Sequence, residues 1–179
     1  CEVIKRQLIS VVPKACIFHL KRFELNYNTF TQEKINSRFQ FPKRIDLKPY
    51  TVDAIKHVEN NVKKDRKKES LQEEWYQLQG VVVHSGTANY GHYYSYIKVN
   101  NNWLEFNDAT VKPFNVENLD AECFGGKALK SVFNAQLKKM IYSEQDITNN
   151  AYMLVYIRED KNEEEQKKEE LLQLKLKKE

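Results

Sequence analysis

One stretch of the sequence carries most of the structural information: His84-Ser85-Gly86-Thr87-Ala88-Asn89-Tyr90-Gly91-His92-Tyr93-Tyr94-Ser95-Tyr96. A loop of small residues with two glycines ends at His92, which opens a strand of aromatic residues. Glycine allows other backbone or a ligand to approach closely. His92 is therefore expected at a junction of loop and strand beside a narrow passage, which is a suitable position for a catalytic base.

A second strand follows this stretch and ends in Asn107 and Asp108. The turn signal Asn100-Asn101-Asn102 predicts a hairpin that pairs residues 92–99 with residues 103–107. Asn107 shares the face of His92 if paired residue numbers add to an odd value, and Asp108 does if they add to an even one. Either side chain could accept the Nδ1 hydrogen of the imidazole and leave Nε2 for a nucleophile. The pattern permits a Cys-His-Asn or Cys-His-Asp triad, and a histidine that only caps a strand is the alternative.

Strand patterns dominate the rest of the chain. Strands are predicted at residues 15–20, 75–83, 92–99, 103–106 and 151–157, strand-like alternation is present at residues 38–41, and residues 24–34 form a hairpin-like loop. Apolar residues at spacings of three or four predict a helix over residues 128–142. Helices are therefore expected to be a minority.

Two segments are too highly charged to bury a face. Residues 56–74 carry six basic and five acidic side chains, and we interpret them as an inserted solvated loop, including the basic run at residues 63–68. Residues 158–179 form a charged tail, for which we predict a solvent-exposed helix. Its leucines give a weak stripe, so a helix that binds a partner is the alternative.

Composition excludes several classes of protein. The chain has 179 residues, enough for one domain, and its formal net charge of +4 is too small to indicate a nucleic-acid partner. No apolar run approaches the roughly 20 residues needed to cross a bilayer. Three cysteines without a CxxC pair favour a reducing compartment, so we expect a cytoplasmic or nuclear protein. The chain begins without Met, which indicates a segment of a longer protein.

Five blocks of sequence resemble, in the same order, those of the ubiquitin-specific proteases, the papain-like deubiquitinases. The blocks are Lys14-Ala15-Cys16-Ile17-Phe18-His19-Leu20-Lys21-Arg22-Phe23, Lys34-Ile35-Asn36-Ser37-Arg38-Phe39-Gln40-Phe41-Pro42, Tyr76-Gln77-Leu78-Gln79-Gly80-Val81-Val82-Val83-His84-Ser85-Gly86, Gly91-His92-Tyr93-Tyr94-Ser95-Tyr96 and Asn150-Ala151-Tyr152-Met153-Leu154-Val155-Tyr156. The last block and Cys123-Phe124-Gly125-Gly126 are most similar to the very large members. The resemblance covers about residues 12–50 and 75–157, the second half of that family's catalytic domain.

The resemblance implies a fold and a reaction. The fold would be α+β, papain-like and mainly antiparallel, and residues 1–157 would form the palm part of an incomplete catalytic domain. The reaction would be hydrolysis of an isopeptide or peptide bond after the C-terminal glycine of ubiquitin, with no cofactor. By the resemblance, His92 is the base, Asn107 orients it and Asp108 supports it. Ubiquitin, the remainder of a longer chain and, through the tail, a larger assembly would be the partners.

The resemblance also implies a channel for the ubiquitin tail. The loops at residues 24–34 and 84–91 would border it, and a Gly-Gly tail suits a narrow passage because it has no side chains. The channel residues would be His84, Ser85, Gly86, Gly91 and Tyr93. A structural hydrogen bond is the alternative role for His84. The tyrosines at positions 93, 94 and 96 suit core and channel wall better than a stacking platform for nucleic acid, because they face opposite sides of one strand.

The nucleophile of that family has no counterpart in these residues. The Gly-rich box with the catalytic cysteine and the upstream Asn of the oxyanion hole are both missing. Cys16 and Cys123 suit inert packing, and Cys1 has Ile4 where a CxxC would need a second cysteine, so no metal site is expected. His19 suits a core position, and His57 suits a solvated one. We therefore expect the nucleophile outside this segment and no activity from the segment alone; the rival hypothesis is an inactive ubiquitin-binding or structural module.

Overall fold

A computed structural model describes residue 3, residues 5–57 and residues 73–159, and strands dominate them. The strands are β1 (Ala15–His19), β2 (Phe23–Asn26), β3 (Thr31–Lys34), β4 (Arg44–Asp46), β5 (Trp75–Gly86), β6 (Gly91–Val99), β7 (Asn102–Asn107), β8 (Thr110–Pro113), β9 (Lys127–Asn134), β10 (Lys139–Asp146) and β11 (Asn150–Arg158). Among the described residues, helical structure is limited to residues 52–57, α1 (Leu119–Cys123) and two short 3-10 helices, Lys48–Tyr50 and Val116–Asn118. The predicted minority of helices is confirmed.

In the part of the chain that the structure describes, the main sheet has seven strands. Six follow the order β1-β11-β5-β6-β7-β8, and β4 pairs with β5 beside this path. The pairs β4–β5, β5–β6, β6–β7 and β7–β8 are antiparallel. All five predicted strands are confirmed in this sheet, and the hairpin predicted at residues 24–34 is confirmed as β2 and β3.

The expected alternation at residues 38–41 does not form a strand. Residues 35–43 have no regular structure, and Phe41 is 5% exposed while Phe39 is 45% exposed. Phe41 packs edge-on against Phe124, with ring centroids 4.8 Å apart. The alternation therefore reflects one buried aromatic side chain in a loop.

The helix predicted over residues 128–142 is wrong, because β9 and β10 form an antiparallel hairpin there. Met140 pairs with Phe133 and Ile141 with Val132. Asn134 Oδ1 accepts a hydrogen bond from the Leu137 backbone at 2.9 Å, and Lys138 closes the turn with a φ of 49°. Spacings of three and four are compatible with either structure, and β-branched and aromatic residues with a turn between them favour strands.

One face of this hairpin is apolar and exposed. Leu129, Phe133, Met140 and Tyr142 share it and are 73%, 60%, 59% and 79% exposed. Val132 and Ile141 occupy the opposite face and are half-buried. A helix would have placed most of these six apolar residues on one face, whereas the pleat of the strands places four on one face and two on the other.

The described chain divides into two compact units, each with its own core. The first draws on segments up to Cys16, from Lys43 to Gln77 and from Tyr156 onward, and its buried residues include Leu47, Ala54, Tyr76 and Tyr156. The second comprises Ile17–Pro42 and Leu78–Val155. Its core includes Leu78, Val81, Val83, Tyr96, Leu119, Cys123, Ala151 and Leu154.

A buried arginine joins distant segments of the second unit. Arg22 is 3% exposed and donates hydrogen bonds to the carbonyl oxygens of Ala151 at 3.1 Å, Ile35 at 3.1 Å and Ser37 at 2.7 Å. Burial lowers the pKa of its guanidinium. A buried charge is tolerated only when it is well hydrogen-bonded, so these three carbonyls fix the loop after β3 to the start of β11.

Several predictions fall partly outside the described residues. Cys1 and the tail beyond Glu159 lie outside them, as do residues 58–72 of the predicted charged insertion. Lys56 and His57 belong to a helical segment, and Arg158 is the last residue of β11. In the described part of the chain, no helix is long and apolar enough to span a membrane.

Candidate active site

His92 and Asn107 meet on neighbouring strands of the second unit. The predicted Asn turn is confirmed, because Asn100 and Asn101 both have positive φ values of 47° and 67°. Ser95 pairs with Phe106, so paired numbers add to an odd value and Asn107 shares the face of His92. Asn107 Oδ1 lies 2.7 Å from His92 Nε2.

The ring nitrogen that meets Asn107 is the opposite of the predicted one. We expected Nδ1 to face the acceptor, and the structure places Nε2 there. Continued by one residue, this register places Asn107 opposite Tyr94, which is two residues along β6 from His92. Nε2 lies farther along the ring from the backbone than Nδ1, and so it is suited to an acceptor at this diagonal position. Nδ1 is therefore the nitrogen available to a nucleophile.

Asp108 lies on the same side of the imidazole but farther away. Its Oδ2 is 3.8 Å from His92 Nε2, beyond hydrogen-bond distance, and its side chain is 81% exposed. The residue has a φ of 49° in the turn between β7 and β8. Asp108 can supply a screened negative charge, whereas Asn107 makes the direct hydrogen bond.

An open cleft of about 670 Å3 begins at this pair. Its lining includes Ser85, His92, Tyr94, Glu105, Asn107 and Asn149. Ser85 lies opposite His92 on β5 and donates a hydrogen bond to Asn149 Oδ1 at 2.7 Å. Burial raises the pKa of Tyr94 to about 12, so its hydroxyl is neutral at physiological pH. The cleft is polar and adjoins the exposed His92.

The glycine loop is a tight connection between β5 and β6. Gly86 has a φ of 115°, and the Thr87 backbone donates to the Tyr90 carbonyl at 2.7 Å. Tyr90 and Tyr93 remain 84% and 48% exposed beside it. Glycine at position 86 is required because a side chain would be strained at that φ. The loop therefore presents the exposed Thr87, Asn89 and Tyr90 to a ligand, together with its backbone.

His84 lies in the interior and not on a channel wall, contrary to its predicted place. It is 4% exposed, and its ring packs against Phe23 and Tyr93 at centroid distances of 5.0 Å and 4.7 Å. Its Nδ1 atom has no hydrogen-bond partner among the described residues, so the alternative structural hydrogen bond is not formed by that nitrogen. Burial and the nearby Lys34 lower its pKa, which keeps the ring neutral.

Lys34 clamps the loop, a role that the sequence patterns did not reveal. Its Nζ donates hydrogen bonds to the carbonyl oxygens of His84 at 3.0 Å, Gly86 at 3.1 Å and Thr148 at 2.5 Å. Burial, together with the charge of Arg22, lowers the pKa of Lys34 to about 8. A lysine at the end of a hairpin carries no sequence signal for such a role, since its acceptors are backbone atoms far along the chain.

Replacing Lys34 by methionine is expected to loosen the loop. The substitution keeps the aliphatic stem and leaves three carbonyls without their donor, so we expect amide hydrogen exchange at residues 84–91 to accelerate about tenfold. Hydrogen exchange followed by mass spectrometry measures this. The exposed Lys21→Met is the matched control. Equal exchange in both variants would contradict the clamp.

Neither described cysteine has the surroundings of a nucleophile. Cys123 is 0% exposed, and its burial raises the pKa of its thiol. Burial also raises the pKa of the half-buried Cys16. A nucleophilic cysteine needs a lowered pKa and access to substrate. In the part of the chain that the structure describes, no group of three or more His, Cys, Asp or Glu residues could hold a metal ion.

A histidine hydrogen-bonded to an asparagine is the arrangement found in the Cys-His-Asn triads of papain-like proteases. Residues 4–156 match the family model described as "Ubiquitin carboxyl-terminal hydrolase", and the chain belongs to that family. Its members are cysteine proteases.

Three curated relatives are 35–38% identical to this chain over the aligned residues. Mouse "Ubiquitin carboxyl-terminal hydrolase 34" is 38% identical over 173 residues, which are 89% of this chain and 5% of that protein. Drosophila melanogaster "Probable ubiquitin carboxyl-terminal hydrolase FAF" is 38% identical over 168 residues, 88% of this chain and 6% of that protein. Mouse "Ubiquitin carboxyl-terminal hydrolase 9Y" is 35% identical over 184 residues, 92% of this chain and 7% of that protein. The chain thus spans a small fraction of each relative.

Solved structures show the same fold. The SAGA Ubp8/Sgf11/Sus1/Sgf73 DUB module bound to ubiquitin aldehyde contains a chain that matches with a TM-score of 0.57 at 23% identity, covering 86% of this chain and 26% of that one. A structure of the SAGA Ubp8/Sgf11/Sus1/Sgf73 DUB module matches with a TM-score of 0.54 at 23% identity, covering 83% of this chain and 24% of that one. The expected fold, that of a ubiquitin-specific protease domain, is confirmed.

Proposed function

We propose that this chain supplies the base half of a deubiquitinase active site, and that the complete enzyme hydrolyses bonds after the C-terminal glycine of ubiquitin. The main observation in support is the 2.7 Å contact between His92 Nε2 and Asn107 Oδ1, which leaves Nδ1 for a thiol. Family membership over residues 4–156 supports the choice of ubiquitin as substrate. The nucleophilic cysteine comes from residues outside this segment.

The reaction proceeds in two stages. His92 Nδ1 takes the thiol proton, and the thiolate attacks the carbonyl carbon of the scissile bond. Asn107 accepts the Nε2 hydrogen of the resulting imidazolium and holds the ring in place. The bond from carbon to nitrogen then breaks, and His92 returns the proton to the departing amine. Water, deprotonated by His92, next hydrolyses the thioester and regenerates the thiol.

The glycine loop admits the ubiquitin tail in this proposal. The channel is bordered by Ser85, Gly86, Gly91 and Tyr93. The buried His84 packs beneath the loop against Tyr93. A Gly-Gly tail has no side chains and can lie against backbone, which matches what the loop offers. Tyr93, 48% exposed, supplies one wall.

An inactive module that binds ubiquitin is the second candidate. The observation in its favour is that Cys16 and Cys123 are absent from the lining of the cleft at His92. The oriented His–Asn pair favours the enzyme, because a binding module has no chemical need of a fixed imidazole tautomer.

Turnover of a fluorogenic ubiquitin substrate separates the two. We expect the 179-residue chain alone to be inactive and the longer protein that contains it to be active and blocked by thiol alkylation. Turnover by the isolated chain would contradict the external nucleophile. A folded longer protein that binds ubiquitin without turnover would establish the second candidate.

A further inference from the structure

The contact with His92 does not by itself determine which end of the Asn107 amide faces the imidazole. The oxygen and nitrogen ends of an Asn amide have nearly the same shape but opposite hydrogen-bonding roles. Only the oxygen end accepts the Nε2 hydrogen of His92. If the amide turned over, its NH2 group would favour the tautomer with hydrogen on Nδ1, and that tautomer cannot take a proton from a thiol. Something must distinguish the two ends.

Glu105 distinguishes them. It lies two residues before Asn107 on β7 and so on the same face, and its Oε1 accepts a hydrogen bond from Asn107 Nδ2 at 3.5 Å. A carboxylate only accepts hydrogen bonds. Turning the amide over would set two acceptors against each other at Glu105, and unlike the imidazole the carboxylate cannot relieve this by changing tautomer.

Glu105 is itself held in place. Its side chain is 13% exposed, and its other oxygen, Oε2, lies 3.3 Å from Lys112 Nζ on β8. Lys112 is directly opposite Glu105 in the strand register. Each carboxylate oxygen thus has its own partner, and the row Lys112, Glu105, Asn107 and His92 crosses three adjacent strands.

We propose that Glu105 is a positioning residue, which fixes the Asn107 amide so that its oxygen faces His92 and keeps the imidazole in the productive tautomer. This inference rests on the proposed function for its effect on hydrolysis. The neutral Asn107 brings no charge, and Glu105 places a carboxylate one hydrogen bond away from the pair, where it polarises the amide toward a forming imidazolium.

Nitrogen-15 NMR of the His92 ring tests the inference on the 179-residue chain without any need for activity. We expect the neutral ring to carry its hydrogen on Nε2 in the wild type. Glu105→Leu removes the acceptor and should lower the ratio of the Nε2–H to the Nδ1–H tautomer about tenfold. Lys112→Met is the comparison variant, because it breaks the ion pair but leaves the carboxylate that accepts from Asn107, so the ratio should fall less than in Glu105→Leu.

Rescue separates positioning from a structural role. In the longer protein, Glu105→Leu should lower kcat about tenfold with KM unchanged, and it should lower kcat little in an Asn107→Asp background, because aspartate has two acceptor oxygens and needs no orientation. An equal loss in both backgrounds, or an unaltered tautomer ratio in Glu105→Leu, would overturn the inference. A shifted tautomer with unaltered hydrolysis would support the positioning and overturn His92 as the base.

Discussion

Replacing His92 by alanine removes the base and is expected to lower kcat for a fluorogenic ubiquitin substrate at least about a thousandfold in the longer protein. KM should change little, because His92 acts on the reacting thiol and the leaving amine. The thiol also loses its proton acceptor, so alkylation by iodoacetamide at neutral pH should slow in the same variant. Steady-state kinetics and the alkylation rate measure the two effects.

Two controls make this result specific. His57→Ala changes a histidine of the helical residues 52–57, which have no part in the site, and should retain wild-type turnover. Free imidazole in the buffer should restore part of the activity of His92→Ala, since His92 is partly exposed, at 46%, and opens onto the cleft. Unchanged turnover in His92→Ala would refute its assignment as the base.

The second large effect concerns Gly91, the residue before His92. An added Cβ would lie 2.1 Å from His84 Nε2 and 2.7 Å from the Ser85 carbonyl oxygen. His84 is buried between Phe23 and Tyr93, so its ring has no free space to enter. We expect Gly91→Ala to destabilise the chain by about 3 kcal/mol. The displaced start of β6 carries His92 with it, so kcat in the longer protein should fall about a hundredfold.

Gly80 provides the matched control on the partner strand. A Cβ at Gly80 would have its nearest neighbour at 3.7 Å, an ordinary van der Waals contact. Gly80→Ala should therefore change the free energy of unfolding by no more than about 0.5 kcal/mol. Urea denaturation compares the two variants. Similar midpoints would show that the loop at Gly91 can move aside.

The sequence predicted the parts of the fold that local patterns encode. Apolar alternation and the Asn100-Asn101 turn led to the main strands and to the β6–β7 hairpin, because strand period and turn conformation are short-range properties. The helix predicted over residues 128–142 is wrong, since the apolar spacing there suits a helix as well as two strands. The turn at Asn134 and Lys138 resolved that ambiguity in favour of strands.

Strand pairing alone predicted that His92 lies near Asn107 or Asp108, and it predicted no further contact of the candidate site. That argument left Asn107 and Asp108 as alternatives and assigned the wrong nitrogen to the contact, because ring orientation depends on the offset between residues of different strands. The clamp by Lys34 joins residues that meet only through the tertiary fold, so it has no one-dimensional pattern. Strand period places Glu105 on the face of Asn107, but it does not show that their side chains form a hydrogen bond.

The strand order of the main sheet has a consequence for synthesis. The last described strand, β11, lies between β1 and β5, so the earliest strand of the sheet has no neighbour in it until the chain has been made through Arg158. The path from β5 to β8 runs in sequence order and can assemble from local hairpins as the ribosome extends the chain. During translation β1 therefore stays unpaired in this sheet until β11 emerges, and an unpaired strand can associate with other chains in that interval.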